Sequence, residues 1–173
     1  SERFTLSSGC ARRGCDRGDS GDTRPVIRHA AALIQIGDRV ALYGQEHIDR
    51  YLATGGEEGH DWQGTQTLLL NTTGRRSGKR RTHPLIYGRH GDDYLVVASK
   101  GGAPEHPDWY LNLTENPEVE IQVKADVMKA HARTATADEK PELWSIMTEE
   151  WPDYDSYQTK TDRETAVVVL EPV

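Results

Sequence analysis

The chain has 173 residues, 35% of them hydrophobic and 28% charged, and a formal charge of −7. That length suits one domain with a core of its own, and the mean hydropathy of −0.74 points to part of the chain lying outside it. The acidic balance speaks against general binding of nucleic acid or anionic membrane, and no run of about 18 apolar residues is present to span a bilayer. The two cysteines, Cys10 and Cys15, are too few for a four-thiolate metal site and read as free thiols in a tail. No apolar signal region followed by a small-residue cleavage site opens the sequence, so the cytoplasm is the expected compartment, with contact at the inner face of the membrane as the alternative.

Residues 1–28 are rich in Ser, Gly, Arg and Asp, show no apolar periodicity, and are expected to form a disordered extension. Residues 29–60 are expected to form an N-terminal helical segment. From Gln45 the spacing of Ile48, Tyr51 and Leu52 predicts an amphipathic helix, stopped by Gly55 and Gly56. Such a helix covers a barrel edge or touches a membrane surface; Glu46 and Asp49 argue against the latter. Residues 61–173 are expected to form the main domain. Asp61-Trp62-Gln63-Gly64 reads as a turn, followed by strands over Thr67–Thr72, roughly Arg80–Tyr87, and Tyr94–Ser99. The continuous apolar run Leu95-Val96-Val97-Ala98 suits burial on both faces. Pro107 opens a short helix to Thr114, because the first helical turn needs no amide donor there. Val119–Val123 alternates like a half-wet strand and pairs with Val127–Thr134. The next helix has two candidate caps. Thr136 and Glu139 have capping-box spacing, whereas Pro141 in the first turn favours Asp138. Pro152 ends that helix, and Val167–Leu170 is a last buried strand. There are no βαβ repeats, so the economical packing is a small mixed barrel with helices over its openings.

No residue announces covalent catalysis: no serine sits in a nucleophile elbow, and no His-x-x-x-His or His-Glu-x-x-His occurs. His60, His83 and His106 meet no metal-ligand spacing, so no metal is expected. If the chain is an enzyme, a cofactor carries the reaction. Two stretches can bind its anionic groups. Thr72-Thr73-Gly74-Arg75-Arg76-Ser77-Gly78-Lys79-Arg80-Arg81 places five basic residues in a turn between two strands. Charge so focused suits a small polyanion better than a long nucleic-acid track, although a merely solvated turn has the same composition. Ser99-Lys100-Gly101-Gly102 follows a buried strand, and its glycines let backbone amides converge on an anion beside Lys100. Near the C-terminus Trp144, Trp151, Tyr154 and Tyr157 cluster. The two tyrosines, three apart, share one side of a helical turn, where they either line a pocket or pack as an ordinary edge.

Together these segments carry a resemblance. From about Tyr43 to the C-terminus, the sequence is similar to the deazaflavin-dependent nitroreductase family. The anchors are Thr72-Thr73-Gly74-Arg75-Arg76-Ser77-Gly78, Arg81-Thr82-His83-Pro84-Leu85 and Ala98-Ser99-Lys100-Gly101-Gly102-Ala103-Pro104. Further on stand His106-Pro107-Asp108-Trp109-Tyr110-Leu111-Asn112-Leu113 and Tyr154-Asp155-Ser156-Tyr157-Gln158-Thr159-Lys160-Thr161-Asp162-Arg163. The resemblance implies an α+β, mainly β fold, a split β-barrel with flanking helices. It implies hydride transfer from reduced coenzyme F420, an 8-hydroxy-5-deazaflavin, to a quinone, nitro compound or activated enone. It assigns the coenzyme's phosphate tail to Arg76 and Arg81, with Arg75, Ser77, Gly78 and Lys79 beside them. Pro84, Val97, Ala98, Ser99, Lys100 and Gly101 then line the deazaflavin, and Trp109, Tyr110 and Asn112 close the cleft. Ser99, Tyr154 and Tyr157 are the candidate catalytic residues, and Trp151, Tyr154 and Tyr157 the acceptor-binding ones. The sequence departs from the family at Trp151, where a tyrosine is common, and at Thr165-Ala166, where Ile-Pro is common. The alternatives are a split barrel that binds FMN or haem, a non-catalytic F420 carrier, and a nucleic-acid-binding barrel. The last lacks the row of stacking aromatics that bases need. The expected assembly is a monomer or weak homodimer.

Overall fold

The structure, a computed structural model, describes residues 42–173. The extension expected at 1–28 and the first part of the 29–60 segment lie outside the described residues. Helix α1 spans Gly44–Thr54, and strands β1 (Asp61–Trp62), β2 (Thr65–Thr73), β3 (Arg80–Ile86), β4 (Gly88–His90) and β5 (Asp93–Val97) follow. After a single 3-10 turn at Lys100–Gly102 come α2 (Asp108–Glu115), β6 (Glu118–Val123) and β7 (Asp126–Thr134). Helices α3 (Lys140–Glu150) and α4 (Asp153–Thr159) lead to β8 (Val167–Pro172).

All strand pairs are antiparallel, and the order is β1-β2-β6-β7-β8-β5-β4, with β3 on β2. β3 and β4 therefore stand at opposite ends of the sheet, yet only Tyr87 separates them in the chain. The sheet must curl until its two ends nearly meet, which makes the split barrel. Because β3 pairs only with β2, Pro84 costs no ladder bond on its free edge.

Strand alternation sorts the side chains. Leu68, Leu70, Val96, Ile121, Val168 and Leu170 point into the barrel core with Trp109 and Leu113 from α2. Leu95, Val97, Val167 and Val169 point the other way, onto Leu143, Met147 and Tyr154 of α3 and α4. β5 and β8 are thus apolar on both faces because both faces are covered, as the unbroken run at Leu95–Ala98 predicts.

Several expectations are corrected. Asp61-Trp62 is not simply a turn; it pairs with Thr65-Gln66 as a two-residue strand around Gln63-Gly64. Leu52 is 53% exposed, so α1 buries His47, Ile48 and Tyr51 instead. Pro107 precedes its helix, and its carbonyl accepts from Tyr110 and Leu111 N–H at 3.1 and 3.3 Å. At α3 the reciprocal cap is Thr136 with Glu139, not Asp138. Glu139 N–H donates to Thr136 Oγ1 at 3.3 Å, and Thr136 N–H to Glu139 Oε2 at 3.0 Å. Arg133 bridges Glu139 and Glu171 and holds the Glu139 carboxyl down at about 2.

Tyr51 ties α1 to the barrel. Its ring is fully buried; its hydroxyl accepts from Lys124 N–H at 2.8 Å and lies 3.1 Å from the Thr67 carbonyl, to which it donates. Gly56 is required beside it, because a Cβ there would stand 2.5 Å from Lys124 Cα. Burial pushes the Tyr51 phenol up to about 12. A phenol held above its unfolded value of 10.0 stabilises the fold fully below pH 10, and that contribution is lost as pH rises toward 12. Tyr51→Phe is expected to cost about 1–3 kcal/mol in urea unfolding at pH 7, by stranding the Lys124 amide. It also flattens, without abolishing, the alkaline fall in stability, since Tyr87 and Tyr154 are raised as well.

Thr165 is fully buried, and its hydroxyl has no hydrogen-bond partner within the described residues. Its amide donates to Gln158 Oε1 at 2.9 Å, a bond that valine preserves. Thr165→Val is therefore expected to gain about 1 kcal/mol and raise the thermal midpoint by about 2–4 °C. An unchanged midpoint means that the hydroxyl is satisfied.

Candidate active site

The gap between the barrel and the α3–α4 layer is a cavity of about 400 Å³. β3 contributes Pro84, Leu85 and Ile86 to its wall, the end of β5 contributes Val97, Ser99 and Lys100, and α2 contributes Trp109. Trp151, Tyr154 and Tyr157 close it from the α3–α4 side. These elements converge because β5 carries alternate residues to opposite faces: Val97 faces the outer layer and the cavity, while Ala98 packs into the barrel core. Of the residues expected to touch cofactor or acceptor, the cavity brings together Pro84, Val97, Ser99, Lys100, Trp109, Trp151, Tyr154 and Tyr157. It does not include Ala98, Gly101, Asn112 or the basic turn, and Tyr110, expected to close the cleft, lines a separate hollow instead.

The tyrosines hold different positions. Tyr154 is buried, its hydroxyl makes no hydrogen bond within the described residues, and burial followed by the neighbouring Tyr157 pushes its phenol well above the usual range. Tyr157 is half-buried, and its hydroxyl lies 3.5 Å from Trp151 Nε1. Both belong to one short helix, as their spacing of three predicts.

The basic turn connects β2 to β3 through Gly74–Lys79 and is closed by Gly74 N–H to Lys79 O and Gly78 N–H to Gly74 O, both 2.8 Å. Its five cations divide. Arg80 is paired with Glu120. Arg75 is braced on α2: its amide and guanidinium each donate to Asn112 Oδ1 at 3.1 Å, and the guanidinium also reaches Asp108 at 3.3 Å. Asn112 is itself buried, with Nδ2 donating to Thr72 Oγ1 at 3.4 Å. Arg76, Lys79 and Arg81 are exposed and pair with no carboxylate among the described residues; Ser77 and Gly78 are exposed beside them. The turn is joined to two walls of the cavity: β3 runs on from it to Pro84, and Arg75 is braced on α2, which carries Trp109.

Beyond β5 the chain makes a nest. Ser99 is right-handed (φ −75°), Lys100 and Gly101 are left-handed (φ 47° and 64°), and open space surrounds Gly101. The amides of Gly102 and Ala103 close the turn on Ser99 O and Lys100 O. Those of Ser99, Lys100 and Gly101 make no hydrogen bond within the described residues and remain for an anion. Gly102 permits α4 to approach, since a Cβ there would stand 2.6 Å from the Tyr157 carbonyl oxygen.

His60, His83 and His106 lie in separate environments, and no group of three or more metal-ligating side chains occurs among the described residues. His60 lies 3.3 Å from the Tyr51 hydroxyl, and His106 accepts at Nδ1 from Arg163 at 3.2 Å. Sequence reasoning missed Trp62, His47 and Thr67, all in the cavity wall. Trp62 is fixed by Nε1–H donating to Leu42 O at 2.7 Å and lies 5.8 Å from Trp151, centroid to centroid. A lone tryptophan in a polar turn was the available signal. Arg163 carries no such signal, although it ends the last segment of the resemblance.

A family model for F420H(2)-dependent quinone reductase matches residues 43–172. An F420H(2)-dependent quinone reductase of Mycobacterium tuberculosis is 43% identical over 128 residues, which are 72% of this chain and 86% of that protein. Among solved structures, an F420-H2-dependent reductase is 42% identical, with a TM-score of 0.57 over 61% of this chain and 93% of its own. Another, described as a domain-swapped dimer, is 38% identical, with a TM-score of 0.60 over 73% of this chain and 96% of its own. A family match over nearly the whole described domain and a relative 43% identical over 72% of the chain establish that the chain belongs to the F420H(2)-dependent quinone reductase family.

Proposed function

We propose that Arg76, Lys79 and Arg81 hold the phosphate tail of coenzyme F420, that the Ser99–Gly101 nest binds a second anionic group, and that the acceptor enters between Trp151, Tyr154 and Tyr157. As a family member the chain is an F420H2-dependent oxidoreductase acting on quinones, with F420 as its cofactor. When bound, the coenzyme supplies the hydride. The observation that carries the assignment of residues is the division of the basic turn. Two of its arginines are committed to intramolecular brace contacts, and three cations are left exposed on the turn that leads into β3, a wall of the aromatic-lined cavity. Arginine forks suit phosphate oxygens, and Lys79 adds a point charge. The donor set thus fits a group with separated anionic ends, and the cavity volume lies within the usual range for organic ligands.

The remaining steps belong to the chain's own residues. Pro84, Val97 and Trp109 give an apolar wall that excludes water and strengthens every charge interaction inside. Tyr154 keeps its proton at neutral pH, because burial opposes the phenolate. Its hydroxyl donates to the oxygen of the acceptor as negative charge develops there, and Ser99 and Tyr157 orient the same oxygen. Nitro compounds and activated enones present an oxygen in the same way and belong to the proposed acceptor range. No helix among the described residues is long and apolar enough to cross a membrane.

Fluorescence titration with F420, with FMN and haem as separate arms, tests the cofactor, and stopped-flow oxidation of F420H2 by menadione tests turnover. Binding of FMN or haem with indifference to F420 overturns the reading, and F420 binding without turnover leaves a carrier. Arg76→Ala is expected to weaken F420 binding at least tenfold, about 1.4 kcal/mol, and to reduce the salt dependence of the dissociation constant. An unchanged constant removes Arg76 from the site. Tyr154→Phe is expected to lower kcat with menadione by about tenfold or more while leaving F420 affinity within about twofold. Equal kcat in the variant excludes Tyr154 as the donor.

A further inference from the structure

We infer that Arg163 is the positioning residue of this site: its guanidinium sets the Ser99–Lys100 peptide planes so that their amides face the cavity, and it does not itself bind the coenzyme. The inference rests on the reading that the site takes F420.

The guanidinium has five N–H donors, and every one is engaged. Nη1 donates to Ala98 O at 3.1 Å and to His106 Nδ1 at 3.2 Å. Nη2 donates to Ser99 O at 3.0 Å and to Ala103 O at 3.1 Å, and Nε donates to Ala103 O at 3.3 Å. An arginine near a phosphate site is ordinarily read as a phosphate ligand, but here no donor is left for one. Its effect passes through the backbone. In a trans peptide the carbonyl and the following N–H point in opposite directions. With the oxygens of Ala98 and Ser99 drawn to Arg163, the amides of Ser99 and Lys100 are turned away from it. Ser99 and Lys100 line the cavity, and Arg163 lies behind them, in the walls of two further hollows. Away from Arg163 is therefore the ligand side.

The clamp also holds a conformation that the chain resists. Lys100 has φ +47°, a region that a residue with a Cβ occupies at a cost. Arg163 is in turn anchored to α4, because Gln158 Nε2 donates to Arg163 O at 2.9 Å while Gln158 Oε1 accepts from Thr165 N–H at 2.9 Å. One side chain thus fixes the nest relative to the helix that carries Tyr154 and Tyr157.

The test compares wild type, Arg163→Lys, Arg163→Ala and Arg76→Ala, each at a temperature well below its thermal midpoint. F420 dissociation constants are measured across a salt series. Wild-type binding is the control: if it fails, the cofactor assignment fails and not this inference. For Arg163→Ala the dissociation constant is expected to rise about tenfold or more, with the wild-type salt slope retained. Millimolar guanidinium is expected to recover part of the loss. Arg163→Lys, which keeps the charge but not the five-donor fork, is expected to remain impaired. Affinity within about twofold of wild type in folded Arg163→Ala overturns the inference. A salt slope reduced as in Arg76→Ala also overturns it, because Arg163 would then be a direct ligand. If Arg163→Ala does not fold, Arg163→Lys decides alone, and wild-type affinity in it overturns the inference.

Discussion

Burial of β5 and β8 on both faces is the constraint from which the site follows. A sheet strand in a split barrel needs only one apolar face, yet Leu95, Val97, Val167 and Val169 add a second. Leaving that face in water would forfeit about 25 cal/mol for each Å² of apolar surface, so α3 and α4 must cover it. Covering it brings Tyr154 and Met147 against the strands and leaves a gap where the layer meets the free edge of β3. The cavity is that gap. Ser99 and Lys100 enter its wall at the end of β5, where the chain leaves the sheet and backbone amides become available.

The parts legible in the sequence are those governed by local rules. The β2–β3 turn was readable from Gly74, Gly78 and the flanking strands, and its register runs unbroken from Thr67 opposite Ile86 to Thr73 opposite Arg80. The double-sided burial of β5 was readable from four successive apolar residues. Long-range closure was not. Trp62 joins the cavity only because β1 folds back onto β2 and its indole reaches Leu42; nothing within a short window encodes that. Leu52 has the spacing of a buried residue, but the narrow contact between α1 and the barrel is filled by Ile48 and Tyr51 against Leu69. At α3 the proline rule and the capping-box rule competed. Two reciprocal hydrogen bonds at Thr136 and Glu139, with Arg133 reinforcing Glu139, outweigh a preference for where Pro141 sits in the first turn.

The basic turn shows why composition alone could not assign roles. Five cations in seven residues look equivalent in a sequence. In the fold, Arg75 is drawn back to Asp108 and Asn112, and Arg80 to Glu120, so both act on the shape of the turn. A turn of like charges repels itself, and these two ion pairs relieve part of that repulsion while anchoring the turn to α2 and β6. The three remaining cations are then carried on a braced backbone, so the turn itself has less to order when an anion binds.

The fold itself says little about chemistry. One architecture hosts many unrelated activities, and the site decides which. On the proposed reading, the two recognition tasks sit on separate layers. The cationic turn, the nest and Trp109 belong to the barrel and its α2 helix, whereas Trp151, Tyr154 and Tyr157 belong to the covering layer. Changes in the covering layer can therefore alter the acceptor side without touching the barrel's anion sites. Trp151, where the resemblance implies a tyrosine, is on that reading such a change. It replaces a hydroxyl by an indole 5.8 Å from Trp62, making that end of the cavity more aromatic. The two layers are not independent, however, because Gly102 packs against α4 and Arg163 spans from α4 to the nest. Hydride transfer demands that donor and acceptor be held within a few tenths of an ångström of a productive separation. A single clamp between the layers meets that demand where loosely packed helices would not.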